Sequence, residues 1–222
     1  MRGDVVTCSW RNGSAGIWLQ WALGSMVGCG LGCFVGTWLG SPVLAVLAIG
    51  PGAATLQAAI LGRYIRSRAL WWILIGALAW PVSIPAGYVG TAIWLAVFGQ
   101  VLIRPLGPLP PFSLAPLVNH GVGLLQLVLL VAPGGGAAGI VYGALQWLVI
   151  SQPGFTERGW LAAHAASGLV LVAAFFSLLL ALVEDNTFGG VAIAALGGAI
   201  YGAITGLPLS RMLASKRAVT AG

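Results

Sequence analysis

Charge is what this chain has least of. Only 6% of its residues are charged, and just four are acidic. A soluble domain carries about a quarter charged residues, so a water-facing globule of 222 residues could not be covered with polar surface. Lipid is the solvent this composition fits. The four acids, Asp4, Glu157, Glu184 and Asp185, all fall outside the apolar runs. No series of intramembrane carboxylates is left for a proton relay, which argues against an ordinary proton- or ion-coupled transporter. Three cysteines give no disulfide framework. Cys29 and Cys33 stand four apart on one helix face and read as small packing residues. Zinc spacing is absent, no glycine-rich phosphate loop stands between a strand and a helix, and no nucleophile has a base nearby. The sequence offers no metal-ligand set, and these absences together argue against an enzyme.

What charge there is sits unevenly. The net charge of +6 and pI near 9.9 would suggest nucleic acid in a soluble protein. Here the basic residues lie singly or in small clusters between apolar runs, where topology and anionic lipid headgroups explain them without a nucleic-acid partner. The polar segment Met1–Ser14 lacks the apolar core of a cleavable signal, so the first membrane helix is expected to act as an uncleaved insertion signal.

Breaks in the apolar runs alternate in kind. Basic breaks occur at Arg63 to Arg68, Arg104, Arg158 and Arg211 to Arg217; the others occur at Gly40-Ser41-Pro42, Pro81 to Pro85, Pro133-Gly134 and Glu184-Asp185-Asn186. The alternation predicts four helical hairpins over 15–62, 68–104, 116–151 and 159–210, each starting and ending on the basic side. The expected fold is an all-α polytopic transmembrane bundle of about eight helices, with six or seven as the alternative. All ten Lys and Arg residues then share one face, and the positive-inside rule puts both termini in the cytoplasm. The second and third hairpins are the strained part: a helix needs at least about 17 residues to cross, so one of them could equally be re-entrant or a single kinked helix. The expected division is a cytoplasmic segment 1–14, a membrane half 15–104, a proline-rich cytoplasmic linker 105–116, a second half 117–210 and a basic cytoplasmic tail 211–222.

Glycine is the dominant positive signal, with 34 residues. Gly24, Gly28, Gly32, Gly36 and Gly40 recur every four residues, as do Gly135, Gly139 and Gly143, and Gly198, Gly202 and Gly206. Such spacing lines one helix face and lets a neighbouring backbone approach closely, here expected to be another helix of the same chain. The ten tryptophans mostly fall near helix ends, which reads as an interfacial belt: Trp10, Trp18, Trp21, Trp71, Trp72, Trp147 and Trp160 on the basic side, Trp38 and Trp80 on the other, Trp94 deeper.

Gln57, Gln100 and Gln146 lie about a turn inside the membrane. They read as hydrogen-bonding groups between helices, or as amides that converge on one polar site. His120 and His164 are the only histidines. His164 has small neighbours, Ala162, Ala163, Ala165 and Ala166, which would leave room for a haem or chlorophyll-type macrocycle on an axial imidazole. A neutral hydrogen-bonding histidine is the plainer reading.

Leu56-Gln57 aligns without gaps to Leu145-Gln146 as far as Trp71 against Trp160, and Ile200-Tyr201-Gly202 echoes Val141-Tyr142-Gly143, which suggests an internal repeat. The segment Gly139-Ile-Val-Tyr-Gly143-Ala-Leu-Gln146-Trp147-Leu-Val-Ile resembles a group of bacterial polytopic membrane proteins with repeated Gly-x-x-x-Gly-x-x-Gln-Trp helix ends and no assigned function. The resemblance is closest over 135–170 and weaker at Gln57, Gln100 and Tyr201. It departs from the pattern at Ser151-Gln152-Pro153, where arginine usually follows at once. It implies a multi-pass protein of the bacterial inner membrane, and no activity.

Three functions are compatible with these features. The first is a non-enzymatic membrane subunit or scaffold, with lipid and other membrane subunits as partners, in an energy-converting or photosynthetic complex. The second is a small-molecule-binding or transport protein similar to vitamin-importer substrate-binding components. The third is a haem or pigment carrier using His164 or His120.

Overall fold

The computed structural model describes residues 14–64, 68–103, 124–151 and 159–221. These residues form six α-helices and no strand: α1 (Ser14–Trp38), α2 (Pro42–Leu61), α3 (Ala69–Ile103), α4 (Leu124–Ile150), α5 (Trp160–Val183) and α6 (Thr187–Ala221). Five of them contain stretches long and apolar enough to cross a membrane: Ser14–Trp38, Pro42–Leu61, Ala69–Phe98, Trp160–Leu179 and Thr187–Leu213.

Local sequence chemistry sets the tight turns. Gly40 ends the α1 region with φ +78°, a left-handed conformation that glycine adopts without the steric cost of a Cβ. Ser41 then caps α2, its Oγ accepting from the Leu44 N–H at 3.3 Å, with Pro42 at the first helical position, where its missing N–H costs nothing. At the α5–α6 turn Asp185 is left-handed (φ 54°), and Asn186 Oδ1 accepts from the Gly189 N–H at 2.8 Å.

The helices pack as a closed ring in chain order. α1 lies against α2 and α6, and α3, α4 and α5 each lie against their sequence neighbours. Every neighbouring pair is antiparallel. Gly28 faces Ala53 while Gly36 faces Ala45; Gly76 approaches Tyr142 while Gly90 faces Ala137; Gly206 meets Trp21 while Gly198 meets Cys29. One end of the bundle therefore gathers Ile17, Leu61, Val149, Ile150, Trp160, Leu209 and Leu213 in one apolar cluster, with Arg63, Arg68 and Arg211 exposed beside it. The other end has its own cluster around Cys33, Ala45, Ile49 and Leu182, and carries Glu184 and Asp185.

Glycine makes these approaches possible. A Cβ on Gly24, Gly28, Gly32 or Gly36 would run into α2, with the Ala53 Cα only 2.6 Å from the Gly28 position. Gly135, Gly139 and Gly143 face α5 in the same way, and Gly198, Gly202 and Gly206 face α1. All three stripes meet helices of this chain. In a bilayer, where no hydrophobic drive acts between helices, close van der Waals contact of this sort is what holds helices together.

The hairpin count differs from the expectation. Segments 15–62 and 159–210 each form two helices, but 68–104 is occupied by the single 35-residue α3. Pro81 and Pro85 sit inside α3 without ending it. Each removes the backbone donor to the carbonyl four residues earlier, at Ala77 and Pro81, a loss that helices inside a membrane bundle tolerate. Within 116–151 the described part is likewise one helix, α4, with Pro133 inside it. Since α3 does not turn back, its end at Ile103 lies away from Ala69, at the end of the ring that carries Glu184. The last described residue of α3 is therefore at that end, whereas the second of four hairpins would have returned to the basic end. The linker itself, Arg104 and His120 lie outside the described residues.

Candidate functional site

The odd-numbered helices each bring one tryptophan to the middle of the ring near its basic end. Trp21 of α1, Trp72 of α3 and Trp160 of α5 are fully buried. Trp21 and Trp72 meet edge to face with centroids 5.6 Å apart, and Trp72 and Trp160 do so at 6.3 Å. Such edge-to-face pairs are favoured by the ring quadrupole. Each indole N–H is bound by the even-numbered helix that precedes it around the ring. Trp21 donates to Thr205 Oγ1 on α6 (3.1 Å), Trp72 to Gln57 Oε1 on α2 (3.2 Å) and Trp160 to the Gly143 carbonyl on α4 (2.9 Å). The belt reading therefore does not hold for these three, which face inward. Trp38 and Trp71 do stand exposed near helix ends, as a belt requires.

Two polar clusters flank the tryptophans. In the first, Gln57 donates to Ser25 Oγ at 2.8 Å, and Ser25 in turn donates to the Trp21 carbonyl at 2.9 Å. In the second, His164 Nε2 lies 3.0 Å from both Gln146 Oε1 and Tyr201 Oη, and Nδ1 lies 3.0 Å from the Trp160 carbonyl. Tyr142 joins this cluster edge-on to Tyr201, and Gly143 gives the imidazole its room: a Cβ there would sit 2.6 Å from His164 Cγ.

The proton pattern of the second cluster follows from its acceptors. A carbonyl oxygen can only accept, so Nδ1 carries the ring proton and Nε2 of the neutral imidazole is an acceptor. The Tyr201 O–H can donate to it. Gln146 Oε1 would instead place lone pair against lone pair, while Gln146 Nε2 stays buried with no partner. Turning that amide end for end lets its N–H donate to Tyr201 Oη or His164 Nε2 and satisfies both groups; which end of an amide is nitrogen is a matter of its hydrogen bonds.

The macrocycle reading does not fit this geometry. His164 is fully buried, its ring 4.4 Å from Trp160, and both ring nitrogens are engaged by α4, α5 and α6. A macrocycle whose metal bound Nε2 would have to displace Gln146 and Tyr201 and open the α4–α5 contact. Replacing His164 by leucine is expected to destabilise the purified protein by ~1–3 kcal/mol, the range for stranded buried partners, and to leave its visible absorption unchanged. A Soret or near-infrared band that disappears in the variant would overturn this assignment.

Gln57 and Gln146 are thus brought to the same end of the bundle but into separate clusters, with the tryptophans between them. Gln100 lies near the far end of α3, with its side chain outside the described residues. Ser25, Thr205 and the inward tryptophans were not singled out from the sequence as site residues. Trp21, Ser25 and Trp72, Gly76 and Trp160, His164 repeat one spacing of four, and that was the available signal. Among the described residues no group of three or more His, Cys, Asp or Glu side chains could hold a metal, and Cys29 and Cys33 are buried free thiols. Comparison with protein-family models, with curated proteins and with solved structures gives no match.

Proposed function

We propose that this chain is a non-enzymatic, multi-pass subunit or scaffold of the bacterial cytoplasmic membrane that packs against other helices in a larger membrane complex. One observation carries the reading: around three buried tryptophans Ser25, Gln57, His164, Tyr201 and Thr205 are hydrogen-bonded within the bundle, while the outer face of α3 is apolar along its length. Leu70, Leu74, Leu78, Val82, Val89, Ile93 and Val97 are all exposed there. The inward chemistry closes the bundle, and the outward surface is what remains for partners and lipid.

The antiparallel order supports placing both termini in the cytoplasm, since the start of α1 and the end of α6 share an end with Arg63, Arg68 and Arg211. The recurring Trp-to-preceding-helix bond supports an internal repeat. A transport role like that of vitamin-importer components calls for a polar pocket at the opposite end, and the interior packing favours the scaffold reading over it.

Gentle purification from native membranes, followed by size-exclusion chromatography and mass spectrometry, tests the proposal. Co-elution with stoichiometric membrane partners is expected. A stable monomer of 22.7 kDa eluting alone would remove its basis.

A further inference from the structure

At the basic end, between the start of α3 and the end of α4, the surface opens into a cavity of about 510 Å³ lined by Arg68, Trp71, Ile75, Leu148 and Val149. Its lining is mostly apolar, and among the described residues Arg68 is the cation on it. Arg68 is not loose there: Nη1 donates to the Val149 carbonyl at 3.1 Å and the Ser151 carbonyl at 3.0 Å, at the C-terminal end of α4. These bonds fix the guanidinium over the groove. Its remaining N–H groups and the Trp71 indole N–H have no hydrogen-bond partner among the described residues. Trp71 and Leu148 are 59% and 65% exposed, so the groove opens outward, away from the tryptophan-filled axis. The described acids, Glu184 and Asp185, lie at the other end of the bundle, so no described carboxylate competes for Arg68.

A fixed guanidinium beside an indole, at the rim of an apolar slot, matches an anionic headgroup attached to hydrocarbon. Basic pockets between helices on the cytoplasmic side take anionic lipid headgroups, and a guanidinium offers phosphate a planar fork of donors. We propose that this groove binds one anionic phospholipid, with the headgroup phosphate on Arg68 and Trp71 and an acyl chain along Ile75 and Leu148. The proposal rests on the membrane placement of the chain and not on its role as a subunit.

The test is native mass spectrometry of the protein released from nanodiscs of phosphatidylcholine and phosphatidylglycerol in equal amounts. Wild-type protein is expected to retain phosphatidylglycerol about fivefold over phosphatidylcholine, the ratio equivalent to the ~1 kcal/mol of one basic residue at an anionic surface. Arg68→Gln is expected to abolish the preference. Leu148→Trp changes an exposed position, keeps every charge and fills the slot, so it is expected to abolish it too, even if Arg68→Gln proves poorly folded. Arg63→Gln is expected to keep it, and excess inorganic phosphate is expected not to displace the lipid. An equal loss in Arg63→Gln would mean diffuse attraction to the whole basic end and would overturn the site. So would full retention in Leu148→Trp, or displacement by phosphate alone. Loss of membrane partners in purification would bear on the subunit reading and leave this result standing.

Discussion

A leucine at Gly32 is expected to prevent α1 and α2 from closing on each other and to cost the protein more than about 3 kcal/mol. Overpacking a core usually costs about 1–3 kcal/mol, because side chains shift to make room. At Gly32 the obstacle is backbone: a Cβ would lie 2.8 Å from the Ala48 carbonyl carbon and 2.9 Å from the Ile49 Cα. Backbone cannot rotate away, so the two helices would have to separate. Separation would also undo the neighbouring contacts, because Gly28 and Gly36 meet α2 along the same line. The measurement is thermal unfolding in detergent followed by tryptophan fluorescence, with size-exclusion chromatography to detect loss of the compact form. Gly197→Ala is the control. Its Cβ would meet only Leu171 Cδ2 at 3.4 Å and Ala174 Cβ at 3.5 Å, ordinary contacts. That variant is expected to be neutral or to gain up to about 1 kcal/mol from helix propensity. Equal stability of Gly32→Leu and wild type would show that α1 and α2 do not pack on this stripe.

Trp72→Ala is expected to destabilise the protein by ~3–5 kcal/mol, the range for deleting a large buried aromatic side chain. Trp72 is fully buried and touches both other members of the aromatic cluster, Trp21 and Trp160. Its removal leaves a cavity on the axis of the ring and strands Gln57 Oε1, which accepts its indole N–H. Trp72→Phe is the intermediate case. It keeps a six-membered ring in the site but loses the hydrogen bond and part of the buried indole, so a cost of about 1–3 kcal/mol is expected. Chemical-denaturant or graded-detergent unfolding of the three proteins gives both numbers. The neighbouring Trp71 is 59% exposed, and Trp71→Ala is expected to change stability little. If Trp72→Ala were as mild as Trp71→Ala, Trp72 would belong to an interfacial belt and the axis would not be sealed by aromatic rings.

Composition and spacing by themselves determined a good deal. The scarcity of charge and the long apolar runs required helices, because a backbone in lipid must satisfy its own N–H and C=O groups. The four-residue glycine spacing marked the faces of α1, α4 and α6 that meet another helix, since that spacing fixes a face whatever the partner. Gly40-Ser41-Pro42 and Asp185-Asn186 marked turns, because left-handed and capping residues act locally.

Only the tertiary structure decided the rest. Pro81 and Pro85 can either turn the chain or stay inside a helix, and residues close in sequence do not choose between the two. That one outcome sends the end of α3 to the opposite end of the ring and makes one helix of the segment expected to form the second hairpin. Trp71 and Trp72 are adjacent, and sequence position alone gives both the same interfacial reading. A rotation of about 100° per residue, the consequence of 3.6 residues per turn, turns one outward and the other into the axis. His164 has alanines beside it in sequence, which suggested open space. In the folded chain that space is filled by Gly143, Gln146 and Tyr201, brought in from α4 and α6, because small residues on one helix invite the side chains and backbone of another.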